Sequence, residues 1–125
     1  MDLLALRQTA SNPRQFQFVI LEVKLGNNPE LYGEVGGQLT RYVSRLEDDF
    51  PQFKKCYERV YVQLKEVGLI TKPSLPSIEI ISPVLGRVIV GGYYGLAEKA
   101  VEELSRKCPN LPPLLRMHHR IQIEA

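Results

Sequence analysis

Two carboxylates and one ammonium fall in two short apolar segments near the start of the chain. Asp2 opens the segment 2–6, and Glu22 and Lys24 close the segment 16–24. If the polar stretch between these segments is a hairpin turn centred on Asn12, the residue numbers of each facing pair add up to about 24. Asp2 then faces Glu22, with β-carbons about 4.5–5.5 Å apart. Period-two alternation puts Lys24 on the same face as Glu22.

Two neighbouring carboxylates favour a hard divalent cation such as Mg²⁺, which prefers oxygen ligands and keeps several waters. Such a cation lowers the pKa of a bound water and stabilises charge on a phosphate. The ammonium of Lys24 can orient that water or offset negative charge in the transition state. The competing interpretation is that Lys24 reaches solvent from a strand end and that Asp2 belongs to a frayed terminus. The metal site is favoured because ligand sites collect at the carboxyl ends of strands in open α/β sheets.

The elements that must position these residues mix strand and helix patterns. After a Gly-Asn loop, Asn28 can cap a helix that begins at Pro29. Its apolar positions follow at helical spacing: Leu31, Val35, Leu39, Tyr42, Val43 and Leu46. A second helix is predicted over residues 51–67, with an inward face made of Phe53, Tyr57, Val60, Leu64 and Val67.

Beyond the second helix, strands are predicted over residues 78–81 and 87–91, joined by a turn at 83–86. A third helix around residues 96–104 and a final strand at 120–123 complete the pattern. The order of elements predicts a single α/β domain over residues 1–125, with a mixed sheet flanked by helices. The later half of segment 16–24 is apolar on both faces, which is typical of a central strand covered on two sides.

The combination resembles the PD-(D/E)XK nuclease superfamily. It consists of Asp2, a hairpin, the run Glu22-Val23-Lys24, and a helix carrying Gln38-Leu-Thr-Arg-Tyr42, which is similar to the Gln-Leu-x-x-Tyr pattern of that superfamily. The resemblance covers residues 2–46 and implies a restriction-endonuclease-like fold. It also implies that Asp2, Glu22 and the backbone carbonyl of Val23 hold Mg²⁺ or Mn²⁺, that Lys24 is catalytic, and that Gln38 lines the active site.

Two departures from the superfamily pattern bear on function. Met1 stands where a proline often precedes the Asp, and the helix and strand that usually open the core have no counterpart ahead of Asp2. We therefore expect a fragment of a nuclease domain, a mis-started reading frame, or a naturally shortened nuclease domain. Its expected function is divalent-metal-dependent cleavage of DNA, and RNA is the less favoured alternative substrate. The alternative is a non-catalytic module that keeps the nuclease fold and binds nucleic acid or protein.

Three further residues are candidates for contact with nucleic acid. Arg41 and Arg45 lie one helical turn apart and can touch a phosphate backbone, or they are solvated or paired with the acidic residues at 47–49. Tyr93, in a Gly-rich strand-to-helix turn, can stack on a base. The adjacent histidines at 118 and 119 point to opposite faces if they lie in a strand, so we read them as a surface pair.

Composition sets the remaining expectations. The net charge of +2 and the hydrophobic share of 44% are ordinary for a globular domain. No apolar run of about 18 residues and no signal peptide are present, which predicts a cytoplasmic protein with no membrane partner. Because segments 2–6 and 16–24 are apolar on both faces, we expect a homodimer, or a partner chain that stands in for the missing helix, near Leu3, Ala5, Val19 or Leu21.

Overall fold

The chain forms an α/β fold, as predicted. Within residues 2–92, 95–110 and 115–117, which the computed structural model describes, there are five strands, three α-helices and one short 3₁₀ turn. The strands are β1 (Leu3–Gln8), β2 (Gln15–Leu25), β3 (Glu79–Ile80), β4 (Leu85–Gly91) and β5 (Leu115–Met117). The helices are α1 (Glu34–Asp48), α2 (Phe50–Glu66) and α3 (Gly95–Lys107), and the 3₁₀ turn spans Pro29–Tyr32.

The first two strands form the predicted antiparallel hairpin. Its ladder runs from the pair Leu3–Leu21 to the pair Gln8–Phe16, so the predicted register is confirmed. Asn12 builds the turn, since its side-chain oxygen accepts a hydrogen bond from the amide of Arg14 at 2.9 Å. Extended by one step, this register brings Asp2 opposite Glu22.

The second strand, β2, is central in a mixed sheet. On the side of β2 away from β1, the strand β4 pairs with β2 in parallel orientation, from the pair Val19–Leu85 to the pair Leu25–Gly91. The short strand β3 pairs in parallel with Gln15 and Phe16, and β5 lies parallel to the far edge of β4. The main order is therefore β1-β2-β4-β5. Because β2 and β4 are parallel, their carboxyl ends meet at one edge of the sheet.

The main core lies between the sheet and the three helices. The even-numbered residues Phe16, Phe18 and Ile20 of β2 are buried there, and all three helices contribute side chains to the same cluster. The ring of Phe18 meets those of Phe50 and Tyr57 edge-on, with centroids 6.1 and 5.3 Å apart. The helix α2 therefore packs on the same side of the sheet as α1.

A second, smaller cluster lies on the opposite face of the sheet. It contains the odd-numbered residues Val19 and Leu21 of β2 together with Ile89 of β4. Toward the ends of their strands on this face, Leu3 and Leu25 are exposed. The expectation that β2 is a buried central strand is thus confirmed, although among the described residues the three helices pack on one face only.

The helix predicted to begin at Pro29 is divided in two. Asn28 does cap its first turn, with its side-chain oxygen accepting from the amide of Glu30 at 2.9 Å. The turn ends at Gly33, whose φ of +146° is unfavourable for any residue with a β-carbon, and α1 starts only at the next residue. The prediction of one continuous helix was therefore wrong.

Some predicted core positions were also wrong. Tyr42, Val60 and Val67 are exposed rather than inward-facing. In α2 the buried residue is Tyr61, whose hydroxyl hydrogen-bonds to the carbonyls of Pro73 and Leu75 at 3.0 Å each. A tyrosine can be buried here because the loop that follows α2 satisfies its polar end.

The strands of the second half differ from prediction at their ends. The strand β4 begins at Leu85, within the predicted turn, and β5 was not predicted. The strand predicted at 120–123, Tyr93 and the histidines at 118 and 119 lie outside the described residues.

Candidate metal centre

A buried carboxylate and an ammonium meet near the carboxyl end of β2. Glu22 follows Ile20 on the face that carries the helices, and only 3% of it is exposed. The Nζ atom of Lys24 lies 3.0 Å from Oε1 of Glu22. A buried charge is costly unless it is paired, so this contact compensates the burial of Glu22. The prediction that Glu22 and Lys24 share one face is confirmed.

A second carboxylate, that of Glu30, completes this ion-pair cluster. Its Oε2 atom lies 2.5 Å from Nζ of Lys24. The hydrogen bond that the Lys24 ammonium donates to Glu30 raises the pKa of Lys24 above its ordinary value of 10.5. The hydrogen bond to Glu22 and the negative charges of both carboxylates act in the same direction, and burial acts in the opposite one. Lys24 is therefore an ammonium at neutral pH, able to donate hydrogen bonds and unable to accept a proton.

The loop between β2 and the 3₁₀ turn brings Glu30 back over Lys24. The amide of Gly26 donates to the carbonyl of Gly91 at 2.8 Å, which joins the loop to the end of β4. A β-carbon at Gly26 would lie 2.5 Å from the Gly92 carbonyl oxygen and 2.8 Å from Cβ of Ala97. Only glycine therefore allows this close approach.

Sequence reasoning missed Glu30. An acidic residue in the first turn of a helix is common because it interacts favourably with the amide end of the helix, so nothing about its type or position stood out. The only available signal was its place six residues after Lys24, just beyond a loop that could turn back on the strand.

Asp2 is held against the same strand. The amide of Val23 donates to Oδ2 of Asp2 at 2.8 Å, and Asp2 is exposed. In an antiparallel ladder the amide and the carbonyl of one residue point toward the same neighbouring strand. The Val23 carbonyl therefore points to the side of β2 where the Asp2 carboxylate lies, next to the peptide that follows Glu22.

Three further predicted site residues, Gln38, Arg41 and Arg45, lie on α1, which packs against β2 and β4. Gln38 is half-buried in its second turn, beside the buried Leu39. Arg41 and Arg45 are exposed along the same helix. The helix thus lies over the sheet face that carries Glu22, and it presents both arginines to solvent.

The donors at the end of β2 suit a hard cation. Asp2, Glu22 and the Val23 carbonyl offer only oxygen atoms, which is the ligand chemistry of Mg²⁺ and Mn²⁺. Among the described residues, no group of three or more His, Cys, Asp and Glu side chains forms a ready-made metal cage.

A cavity of about 490 Å³ lies away from this cluster. It opens between α1 and the start of β4, and its walls include Leu39, Val43, Gly86 and Arg87. Lys24 instead pairs with Val90, near the other end of β4. The carboxylate and ammonium cluster therefore does not line this cavity.

Comparisons with known proteins add no assignment: no family model, no curated protein and no solved structure matches the chain. No helix among the described residues has both the length and the apolar character needed to cross a membrane. The contacts of Asp2, Glu22 and Lys24 at the carboxyl end of β2 are therefore the basis for a function.

Proposed function

We propose that this chain is a divalent-metal-dependent phosphodiesterase that cleaves DNA, with RNA as the second candidate substrate. The observation that carries the proposal is the convergence of three charged residues at one end of the central strand. Asp2 accepts from the amide that follows Glu22 at 2.8 Å, and Glu22 lies 3.0 Å from the ammonium of Lys24. The order of these residues along the chain resembles that of PD-(D/E)XK nucleases.

Each residue has a distinct role in this proposal. Asp2, Glu22 and the Val23 carbonyl hold Mg²⁺ or Mn²⁺, which when bound activates a water and stabilises charge on the phosphate. Lys24, which stays protonated, donates hydrogen bonds to the attacking water or to a phosphate oxygen and offsets negative charge in the transition state. Gln38 supports the site as a neutral polar group from α1.

Nucleic acid would be held mainly through its phosphates. Arg41 and Arg45, exposed on α1, are the proposed phosphate contacts, and Tyr93 is a proposed stacking residue. Each phosphate contact that is lost should reduce the salt dependence of binding, because fewer counterions are released.

A second function, a non-catalytic module that binds nucleic acid or protein, is favoured by one observation. Lys24 already bridges Glu22 and Glu30, at 3.0 and 2.5 Å, so the cluster can act purely as a structural tie between β2 and the 3₁₀ turn. In that case the chain would bind no divalent cation, and the ion pairs would contribute only to stability.

Titration with Mg²⁺ or Mn²⁺, followed by a plasmid-nicking assay, separates the two functions. We expect Glu22→Ala to abolish both metal binding and nicking. Lys24→Ala should leave metal binding largely intact but reduce turnover by about 10²-fold, because an ammonium is not a ligand. The matched controls are Glu66→Gln and Lys55→Ala, exposed residues of α2, which should nick like the wild type.

The outcomes are distinct. A wild-type chain that binds no divalent cation and nicks no plasmid would support the non-catalytic module. Nicking that persists unchanged in both the Glu22 and Lys24 variants would mean that the activity resides elsewhere or comes from a contaminant.

We further propose that the chain pairs with a second copy or with a partner chain through the sheet face opposite the helices. Support comes from Leu3, which pairs with Leu21 of the small cluster and is 53% exposed, and from Leu25, which is 65% exposed at the end of β2. Exposed apolar side chains that adjoin a buried apolar cluster are typical of an interaction surface.

A further inference from the structure

The ammonium of Lys24 has two carboxylate partners, and only one of them belongs to the proposed metal site. Glu22, at 3.0 Å, is a proposed metal ligand. Glu30, at 2.5 Å, is contributed by the 3₁₀ turn and is the nearer partner. When a cation binds, the Glu22 carboxylate would therefore turn to the metal, whereas the Glu30 carboxylate would stay with Lys24.

A divalent cation that binds Glu22 competes with Lys24 for the same carboxylate. Two positive charges a few ångströms apart also repel each other, and this repulsion is strong where the surroundings exclude water. With Glu22 as its only partner, Lys24 would be displaced from the site at the moment when its charge is needed. A second carboxylate outside the metal ligands prevents this.

We infer that Glu30 is a positioning residue, which holds the Lys24 ammonium beside the reaction site when the Glu22 carboxylate turns to a metal ion. This inference rests on the proposed function. It assigns Glu30 a role through Lys24, with no direct contact with metal or substrate.

The 3₁₀ turn does not depend on the Glu30 carboxylate for its own shape. At its start, the Asn28 side chain accepts from the backbone amide of Glu30 at 2.9 Å. At its end, Nζ of Lys107 donates to the carbonyl of Tyr32 at 2.7 Å. Both anchors remain when the Glu30 carboxylate is replaced by an amide. Glu30→Gln should therefore keep the turn and remove only the charge that attracts Lys24.

The test compares Glu30→Gln, Lys24→Met and the double variant in Mg²⁺-dependent plasmid nicking, with metal affinity measured by calorimetry. We expect Glu30→Gln to lower kcat about tenfold, with KM and metal affinity within about twofold of wild type. Because Glu30 acts through Lys24, the double variant should be no slower than Lys24→Met alone. Glu30→Asp should recover part of the rate. Glu34→Gln, an exposed first-turn carboxylate of α1, is the matched control and should behave as wild type.

A spectroscopic readout checks the same inference without turnover. An ammonium held in an ion pair exchanges its protons slowly enough to give a signal in ¹H–¹⁵N spectra, and Lys24→Met assigns that signal. We expect wild type to keep the Lys24 signal on addition of Mg²⁺. Glu30→Gln should keep it in the absence of metal, where Glu22 still holds the ammonium, and lose it when Mg²⁺ is added.

The failures are distinguishable. If wild type nicks DNA and Glu30→Gln retains its full kcat and its Lys24 signal with Mg²⁺, the inference is overturned and the proposed function stands. If wild type neither binds the cation nor nicks DNA, the proposed function fails and the inference fails with it. A loss of metal affinity in Glu30→Gln would overturn the inference by making Glu30 part of the metal site.

Discussion

Replacing Lys24 with methionine should destabilise the fold strongly. Methionine keeps most of the side-chain length but removes the ammonium that lies 3.0 Å from Glu22 and 2.5 Å from Glu30. The Glu22 side chain is only 4% exposed. Removing one partner of a buried ion pair costs about 3–5 kcal/mol. Because the Glu30 side chain is 33% exposed, solvent screens it and its share of the loss is small.

We therefore expect Lys24→Met to lower the free energy of unfolding by about 3 kcal/mol, measured by urea unfolding at pH 7. For a domain of this size, that loss corresponds to a fall in Tm of roughly 12 °C. The double variant Glu22→Gln/Lys24→Met removes both charges and should recover at least about 1 kcal/mol of the loss. The control Lys55→Met, at an exposed position of α2, should change stability by less than about 0.5 kcal/mol.

Unfolding of Lys24→Met at the same urea concentration as Lys55→Met would contradict this expectation. The ion pairs at 3.0 and 2.5 Å would then make no net contribution, and burial of Glu22 would have to be compensated by other means. Additive effects in the double variant would likewise contradict a direct interaction between Glu22 and Lys24.

Three further predictions concern the loop glycine Gly26, the titration of Lys24 and self-association through the exposed sheet face. Gly26→Ala should destabilise the fold by about 1–3 kcal/mol in thermal unfolding, because the added β-carbon would lie 2.5 Å from a carbonyl oxygen. The control is Gly37→Ala, whose added β-carbon meets only a side-chain atom at 3.6 Å. This control should be neutral or stabilising. Because the pKa of Lys24 is raised above 10.5 in the fold, its stabilising contribution is complete below that pH and lost as pH rises through the folded value. The stability gap between wild type and Lys24→Met should thus be constant from neutral pH to about pH 10 and should close at higher pH. In the Glu30→Gln background the gap should close at a lower pH, because the largest contribution that raises the pKa of Lys24 is then removed. Light scattering should detect a dimer that Leu3→Lys weakens, and a wild-type chain that stays monomeric at high micromolar concentration would contradict self-association.

Much of the hairpin could be predicted from the sequence because its geometry is local. Strand alternation has a period of two residues, and a short turn at Asn12 leaves one register that puts the apolar residues of both strands on matching faces. The pairing of Leu3 with Leu21 and the shared face of Glu22 and Lys24 therefore followed from spacing alone. Asn28 was likewise readable as a cap, since its hydrogen bond reaches only two residues along the chain.

Other features depended on contacts between distant parts of the chain. The sequence around Gly33 does not show whether this glycine interrupts the helix or lies within it. The interruption depends on distant contacts, since Lys107 of α3 donates a hydrogen bond to the carbonyl of Tyr32 at the end of the 3₁₀ turn. The side of the sheet taken by α2 is set by the packing of Phe50 and Tyr57 on Phe18. Helical periodicity identifies an apolar stripe, but it does not say which surface will cover that stripe.

The contact between Glu30 and Lys24 is the clearest example of a feature that only the tertiary structure determines. Its residue type is ordinary for a first helical turn, and its distance along the chain from Glu22 gives no reason to expect contact. Contact arises because Gly26 lies against the end of β4 and forces the loop to turn back over Lys24. Residue types and spacing were enough to predict that Asp2, Glu22 and Lys24 lie together at one end of β2. The second partner of the ammonium depends instead on a backbone contact between segments that are distant in sequence.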